Sequence, residues 1–194
     1  MRITKRPDER KRELLDLAFN LFKEKGFSKV SVREIIDKTN SSKSPGLFYY
    51  YFKSKQDIYD AVIDNVVDTE MNKRKDIIAS FTSKNDIEEI LDKLVDSAKE
   101  SAVIFHQFEN RSGDSQLIND VSQKLVKQEF YLISKLINDY VGRKKKDKTD
   151  SKLDEYYASF IVYGSNGVLL NADGDFENET EFIKMCLKKL IQDS

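Results

Sequence analysis

An all-α fold in two parts is what this sequence predicts, on three observations. Apolar residues recur at helical spacing through long segments, and no segment alternates as a half-buried strand requires. The 194 residues include only two prolines and seven glycines among many Lys, Glu, Asp, Leu and Ile, a composition that suits helices. Charge is divided along the chain. Residues 1–55 hold 14 Lys/Arg against 7 Asp/Glu, and the remainder 19 against 27, although the whole chain nets only −1. A basic end joined to an acidic body implies that one end meets a polyanion.

Residues 1–7 read as a basic arm. Arg2, Lys5 and Arg6 can reach phosphates or a minor groove, and a solubilising tail explains them equally well. A first helix runs from about Asp8 to Lys25, with Leu14, Leu15, Ala18, Leu21 and Phe22 as its apolar stripe. Gly26 ends it and lets Phe27 fold back on Phe22. Ser31 opens a short helix by a capping box: it accepts from the amide of Glu34, and Glu34 reaches back. Val32, Ile35 and Ile36 share one face of that helix. Thr39 to Gly46 is polar and contains Pro45-Gly46, so it cannot continue the helix. Leu47 to Lys55 is a second short helix crowded with aromatics, of which Phe48 and Phe52 are expected inside. Two short helices around a tight connection predict a helix-turn-helix, whose second helix enters the DNA major groove.

Ser54 caps a long helix reaching about Ala79, with Asp57 at its third position and Ile58, Tyr59, Ala61, Val62, Val66 and Met71 along it. Phe81 to Asn85 is a break, with Asn85 as a cap. A further helix covers Asp86 to Asn110, Arg111–Ser115 is a loop, and another helix spans Gln116 to Val141. The basic run Arg143–Lys148 reads as a solvated loop, because it lies far from the short helices. A helix from Lys152 to Asn171, a turn at Ala172–Phe176 and a last helix capped by Asn178 complete the chain.

The residues Leu47, Phe48, Tyr49, Tyr50, Tyr51, Phe52, Lys53, Ser54 and Lys55 resemble the Leu-Tyr-x-His/Tyr-Phe-x-x-Lys signature of the TetR family of bacterial transcription regulators. Val32 to Ile36 and Phe22 to Phe27 match it as well, and the resemblance extends from residue 8 to about residue 60. The run from Ile35 to Phe52 is slightly longer than the family pattern, which lengthens the turn around Thr39 to Ser44. The resemblance implies a three-helix DNA-binding domain over residues 1–54 and a helical effector-binding and dimerisation domain over residues 55–194. It further implies a repressor that binds a palindromic double-stranded operator as a homodimer, joined through its last two helices and released by an unidentified small molecule. Gly164 and Gly167 could permit close crossing of those helices.

Contacts with DNA are expected from the start of the second short helix: Lys43, Ser44, Pro45, Gly46 and Leu47. Lys43 can donate to guanine O6 and N7. Pro45 suits a first helical turn, and Gly46 would let backbone approach base edges. Lys53 and Lys55 can neutralise phosphates, Lys55 beside the amides that open the long helix. By resemblance, Tyr49 and Tyr51 face phosphates, Tyr50 joins them less firmly, and Arg33 reaches bases or phosphate. A surface ion pair is the other reading of Arg33.

An effector cavity is expected among Phe105, Phe108, Tyr131, Tyr157, Phe160 and Tyr163, since rings offer large apolar area and tyrosines a polar handle. Glu109 and Glu129, if they face inward, would favour a cationic lipophilic ligand. A partner-controlled or architectural DNA binder without an effector is the alternative function. Enzyme chemistry finds no support, with no phosphate loop, no nucleophile motif and a lone His106 between Phe105 and Phe108. One cysteine, Cys186, and one histidine argue against a His/Cys metal site, and no cofactor is expected. No apolar run is long enough to span a bilayer and no signal peptide is read, so a reducing cytoplasm is expected.

Overall fold

The computed structural model describes residues 6–40, 44–81, 87–112, 115–144, 151–172 and 176–192, and every regular element among them is an α-helix. These are α1 (Pro7–Lys25), α2 (Val32–Asp37), α3 (Pro45–Tyr51), α4 (Lys55–Ser80), α5 (Ile87–Ser112), α6 (Gln116–Lys144), α7 (Ser151–Leu170) and α8 (Phe176–Gln192). They form two compact units. The first comprises Met1–Asp68 with Gln107–Val121, the second Thr69–His106 with Ser122–Ser194.

In the first unit, α1 starts at Pro7, whose missing amide costs nothing in a first turn. The Arg6 amide donates to the Glu9 carboxylate at 3.0 Å. Gly26 ends the helix at φ 82°, a left-handed conformation that glycine adopts without a Cβ clash. Its amide closes on the Phe22 carbonyl at 2.8 Å, and Phe27 packs on Phe22 with ring centroids 5.6 Å apart. Ser31 caps α2, accepting from the Glu34 amide at 3.1 Å. The other half of the expected capping box is absent. The Glu34 carboxylate instead pairs with Lys25 at the end of α1, an opposite charge that outcompetes a neutral amide. Thr39 ends α2, its hydroxyl donating to the Ile36 carbonyl at 2.8 Å. Ser54 caps α4, accepting from the Asp57 amide at 3.1 Å, while Asp57 accepts from the Lys53 amide at 2.8 Å.

Rings fill this unit. Phe22, Phe48, Phe52 and Tyr59 are buried with Leu14, Leu21, Ile35, Ile36 and Ile58. Tyr59 lies 5.6 Å from Phe22 and 4.4 Å from Phe27, and its hydroxyl donates to Asp120 at 2.7 Å. Phe108 packs edge-on against Phe19 at 5.8 Å, with the Lys23 ammonium 4.4 Å from its centroid. The first unit therefore includes the start of α4 and the α5–α6 junction, and extends beyond residue 54.

The second unit is packed mainly with aliphatic side chains, among them Ile90, Leu91, Leu94, Val95, Ile133, Leu136, Ile161, Val162, Ile183 and Leu187. His106 packs edge-on against Phe176 at 5.9 Å. Three local expectations change here. Arg111 belongs to α5, and Arg143 and Lys144 belong to α6. Asn178 is inside the first turn of α8, which starts at Phe176, whose ring is buried. Arg2, Lys5, Lys43, Asn85 and Lys145–Lys148 lie outside the described residues.

Candidate nucleic-acid interface and a cavity in the second unit

Helix α3 has an inside and an outside fixed by two rings four residues apart. Phe48 and Phe52 are buried, with centroids 5.8 Å apart. The residues between them are consequently turned toward solvent: Tyr49 is 57 % exposed and Tyr50 76 %. Tyr51 is half-buried, its ring edge-on to Tyr50 at 4.8 Å. Ser44, Pro45 and Gly46 are exposed at the start of the helix, Leu47 is half-buried and Lys53 is exposed. Ser44 flanks the helix without a side-chain cap bond. A Cβ on Gly46 would meet the Ser44 Oγ at 3.5 Å, an ordinary contact. Internal packing thus does not demand glycine there, and the openness of the helix start is what its small size preserves.

Arg33 is exposed and donates through Nε to Asp37 at 3.0 Å, an i,i+4 pair. Such surface pairs contribute little, so a phosphate could compete for the guanidinium. Lys55 sits differently from the expectation. Its Nζ donates to the Phe27 carbonyl at 2.9 Å and the Val30 carbonyl at 3.0 Å, and lies 4.3 Å from the Phe27 ring centroid. The ammonium braces the α1–α2 connection. The hydrogen bond from Lys25 holds the Glu34 carboxyl below its ordinary range.

In the second unit, a cavity of about 50 Å³ is walled by aliphatic side chains from α5, α6, α7 and α8, with Arg74, Glu129 and Asn166 at one side. Arg74 is 3 % exposed. Its Nε lies 2.5 Å from Glu129 Oε1, and its Nη1 donates to the Glu70 carbonyl at 3.0 Å and the Glu70 carboxylate at 3.4 Å. The Ser101 hydroxyl donates to Glu70 at 2.6 Å, Lys73 reaches Glu70 at 2.7 Å, and Asn166 donates to Glu129 Oε2 at 3.1 Å. Burial by itself would raise the Glu70 carboxyl. The hydrogen bonds from Lys73 and Ser101 and the charges of Lys73 and Arg74 outweigh it and hold the group below its ordinary value.

A second cavity of about 160 Å³ is lined by Phe160, Gly164, Val168, Phe182, Ile183 and Cys186, and it shares Ile161, Ser165 and Leu187 with the first. Of the six rings expected at an effector site, Phe160 alone borders either cavity. Phe108 packs in the first unit, Phe105 and Tyr157 are half-buried, and Tyr131 and Tyr163 are exposed. Glu129 faces inward and Glu109 is exposed. The sequence reading passed over Arg74, although a signal was available: Val67, Met71 and Arg74 fall at helical spacing on one buried stripe of α4.

Residues 14–62 match the sequence profile described as bacterial regulatory proteins, tetR family. The chain is 32% identical over 103 residues to the HTH-type transcriptional repressor KstR2 of Rhodococcus jostii (strain RHA1), covering 52% of this chain and 50% of that protein. It is 42% identical over 57 residues to an uncharacterized HTH-type transcriptional regulator from the lacX 3′ region of Lactococcus lactis subsp. lactis, covering 29% and 28%. The chain thus spans half the length or less of these curated relatives. Among solved structures, the fatty acid degradation regulator FadR from Bacillus halodurans superposes with a TM-score of 0.66 at 17% identity, covering 95% of this chain and 96% of that one. A TetR/AcrR-family transcriptional regulator from Thermobifida fusca YX-ER1 gives 0.62 at 21%, covering 92% and 96%. At these identities the likeness is one of fold.

Proposed function

Through residues 14–62 the chain belongs to the tetR family of bacterial regulatory proteins, and we propose that it represses transcription by binding a palindromic DNA operator as a homodimer that a small molecule releases. The observation that carries this reading is α3. It buries Phe48 and Phe52 and thereby turns Tyr49, Tyr50 and the open start at Ser44, Pro45 and Gly46 outward, with Lys53 beside them. Phosphate contacts from Arg33, Lys53 and the tyrosine hydroxyls would set the register, and residues 43–47 would read bases. Lys55 would act by holding the α1–α2 connection.

Dimerisation through α7 and α8 is supported by the apolar side chains these helices expose, Tyr156, Phe160, Tyr163, Leu170, Phe182 and Met185. Apolar surface gathered on two adjacent helices marks an interaction site. Gly164 and Gly167 face open space, where a Cβ would meet nothing within 4 Å. The cavities of the second unit support effector binding, and repression is favoured by the name of the KstR2 relative. A regulator of this kind works in the cytoplasm. The small volume of the first cavity, about 50 Å³, favours one second reading, a DNA binder controlled by a protein partner.

The test is selection from random duplex DNA at low salt, followed by titration of the recovered sequence against salt. The expected result is a palindromic site whose half-sites are about one helical turn apart, bound with an affinity that falls steeply as salt rises. Absence of any duplex binding at low salt would sink the proposal.

A further inference from the structure

We propose that the second unit takes an uncharged aliphatic molecule with one hydrogen-bond-donating head, a long-chain alkanol or primary amide, its head on Glu129 and its chain directed past Leu187 into the second cavity. This rests on the reading of that unit as the effector domain and assigns the chemistry of its ligand.

The head follows from charge balance. Glu70 and Glu129 face Arg74 and Lys73, two carboxylates against two cations. An anionic head would bring a third negative charge to two cations already matched by two carboxylates. A cationic head would set a second buried cation beside Arg74. Either leaves a charge uncompensated in low dielectric, where the cost is high. A neutral donor disturbs nothing. Glu129 accepts from Arg74 on Oε1 and from Asn166 on Oε2, and a carboxylate has about four acceptor positions. A hydroxyl can therefore join without displacing either partner, and Asn166 and Ser165 border the same space.

The body follows from the walls. Apart from its polar side, the first cavity is lined by Leu, Val, Ile and Ala, with no ring among its lining residues. Such walls offer no stacking plane to a flat aromatic ligand and suit a flexible chain. The first cavity, about 50 Å³, holds the head and a few carbons at most. The second, about 160 Å³, shares the lining residues Ile161, Ser165 and Leu187 with it and is bordered by Phe160 and Phe182, so the far end of the chain would lie against the exposed face of α7 and α8. Leu187, which lines both, is the side chain the proposed route passes.

The experiment uses the full chain with 1-decanol, decylammonium and decanoate, below their micelle concentrations, in calorimetry and thermal shift. Decanol should bind about tenfold more tightly than either charged compound, and equal or tighter binding of decanoate or decylammonium overturns the head assignment. Partitioning of a neutral chain onto any greasy surface would not depend on Glu129. The E129Q variant should therefore shift the decanol-to-decanoate ratio about tenfold toward decanoate, and an unchanged ratio overturns the proposal. Asn166→Leu, which keeps the Arg74–Glu129 pair, should weaken decanol and serves if E129Q does not fold. Leu187→Trp should weaken 1-decanol more than 1-hexanol, and an unchanged ratio between these two alkanols overturns the route. Absence of binding by all three probes overturns the proposal while leaving operator binding intact. Binding of decanol without release of DNA keeps the ligand class and removes the effector role.

Discussion

The two units of this protein place their aromatic rings in opposite ways. In the first, Phe22, Phe48, Phe52 and Tyr59 are interior, and Tyr49 and Tyr50, which lie between Phe48 and Phe52 along the chain, are exposed. In the second, Tyr131, Tyr156, Phe160 and Tyr163 are on the surface, and the interior is mainly aliphatic around Arg74, Glu70 and Glu129, with the Phe176 ring buried among the aliphatic side chains. Rings have few rotamers and fix orientation by shape. Aliphatic side chains tolerate repacking, so in the second unit direction is supplied by hydrogen bonds and charge. A reading surface benefits from the first solution, a cavity that must open from the second.

That contrast can be broken most sharply at its two anchors. Phe48→Ala should cost about 3–5 kcal/mol as a buried ring replaced by a void, whereas Tyr50→Ala, two positions away, should change stability by less than about 0.5 kcal/mol. Equal losses in urea titrations would mean that α3 is not oriented by its inner rings. Arg74→Met should cost a similar amount, about 3–5 kcal/mol, because buried Glu129 loses its cation and Glu70 keeps only Lys73. Adding Glu129→Leu should recover part of it, and a denaturation midpoint near that of the parent for Arg74→Met alone would show that charge does not order the second unit. Lys55→Ala should have a smaller effect, about 1–3 kcal/mol, from two carbonyls losing a charged donor. Its signature is lost stability in the absence of DNA, and an unaltered melting temperature with weakened DNA binding would restore Lys55 to the phosphate surface. The smallest effect concerns acid. Because the Glu70 carboxyl is lowered in the folded state, the stability it contributes is present above the ordinary carboxylate range and lost as pH falls through the lowered value. Glu70→Gln should therefore lose less stability on acidification than the parent, measured as urea midpoints at neutral and acid pH.

What the sequence revealed was mostly local. Gly26 ending α1, Ser31 and Ser54 capping α2 and α4, and the inward pair Phe48 and Phe52 depend on neighbours within four residues, so spacing sufficed. What escaped depended on distant partners. Lys55 turns to carbonyls at Phe27 and Val30, and Glu34 to Lys25 rather than its own helix start. Spacing cannot foresee which far segment supplies the better acceptor. A boundary after residue 54 is drawn from local pattern, whereas Phe108 and Asp120 meet Phe19 and Tyr59 from far along the chain. Ring content predicts a cavity lining among Phe105, Tyr131, Tyr157, Phe160 and Tyr163 but says nothing of the direction each ring faces. Tyr131, with Lys127, Gln128, Ser134 and Lys135 one turn away on either side, and Tyr163 both face outward. The polar side of the cavity could have been suspected, since Arg74 interrupts an otherwise apolar stripe of α4.

Cys186 is the single thiol of the chain, half-buried on α8 and part of the wall of the larger cavity. A fluorophore attached through that sulfur would therefore occupy one defined position without any engineered substitution. Its emission colour would report how wet the cavity is, and its anisotropy how tightly the walls hold it. The protein thus carries a built-in handle for spectroscopy at the point where a chain-like ligand would arrive.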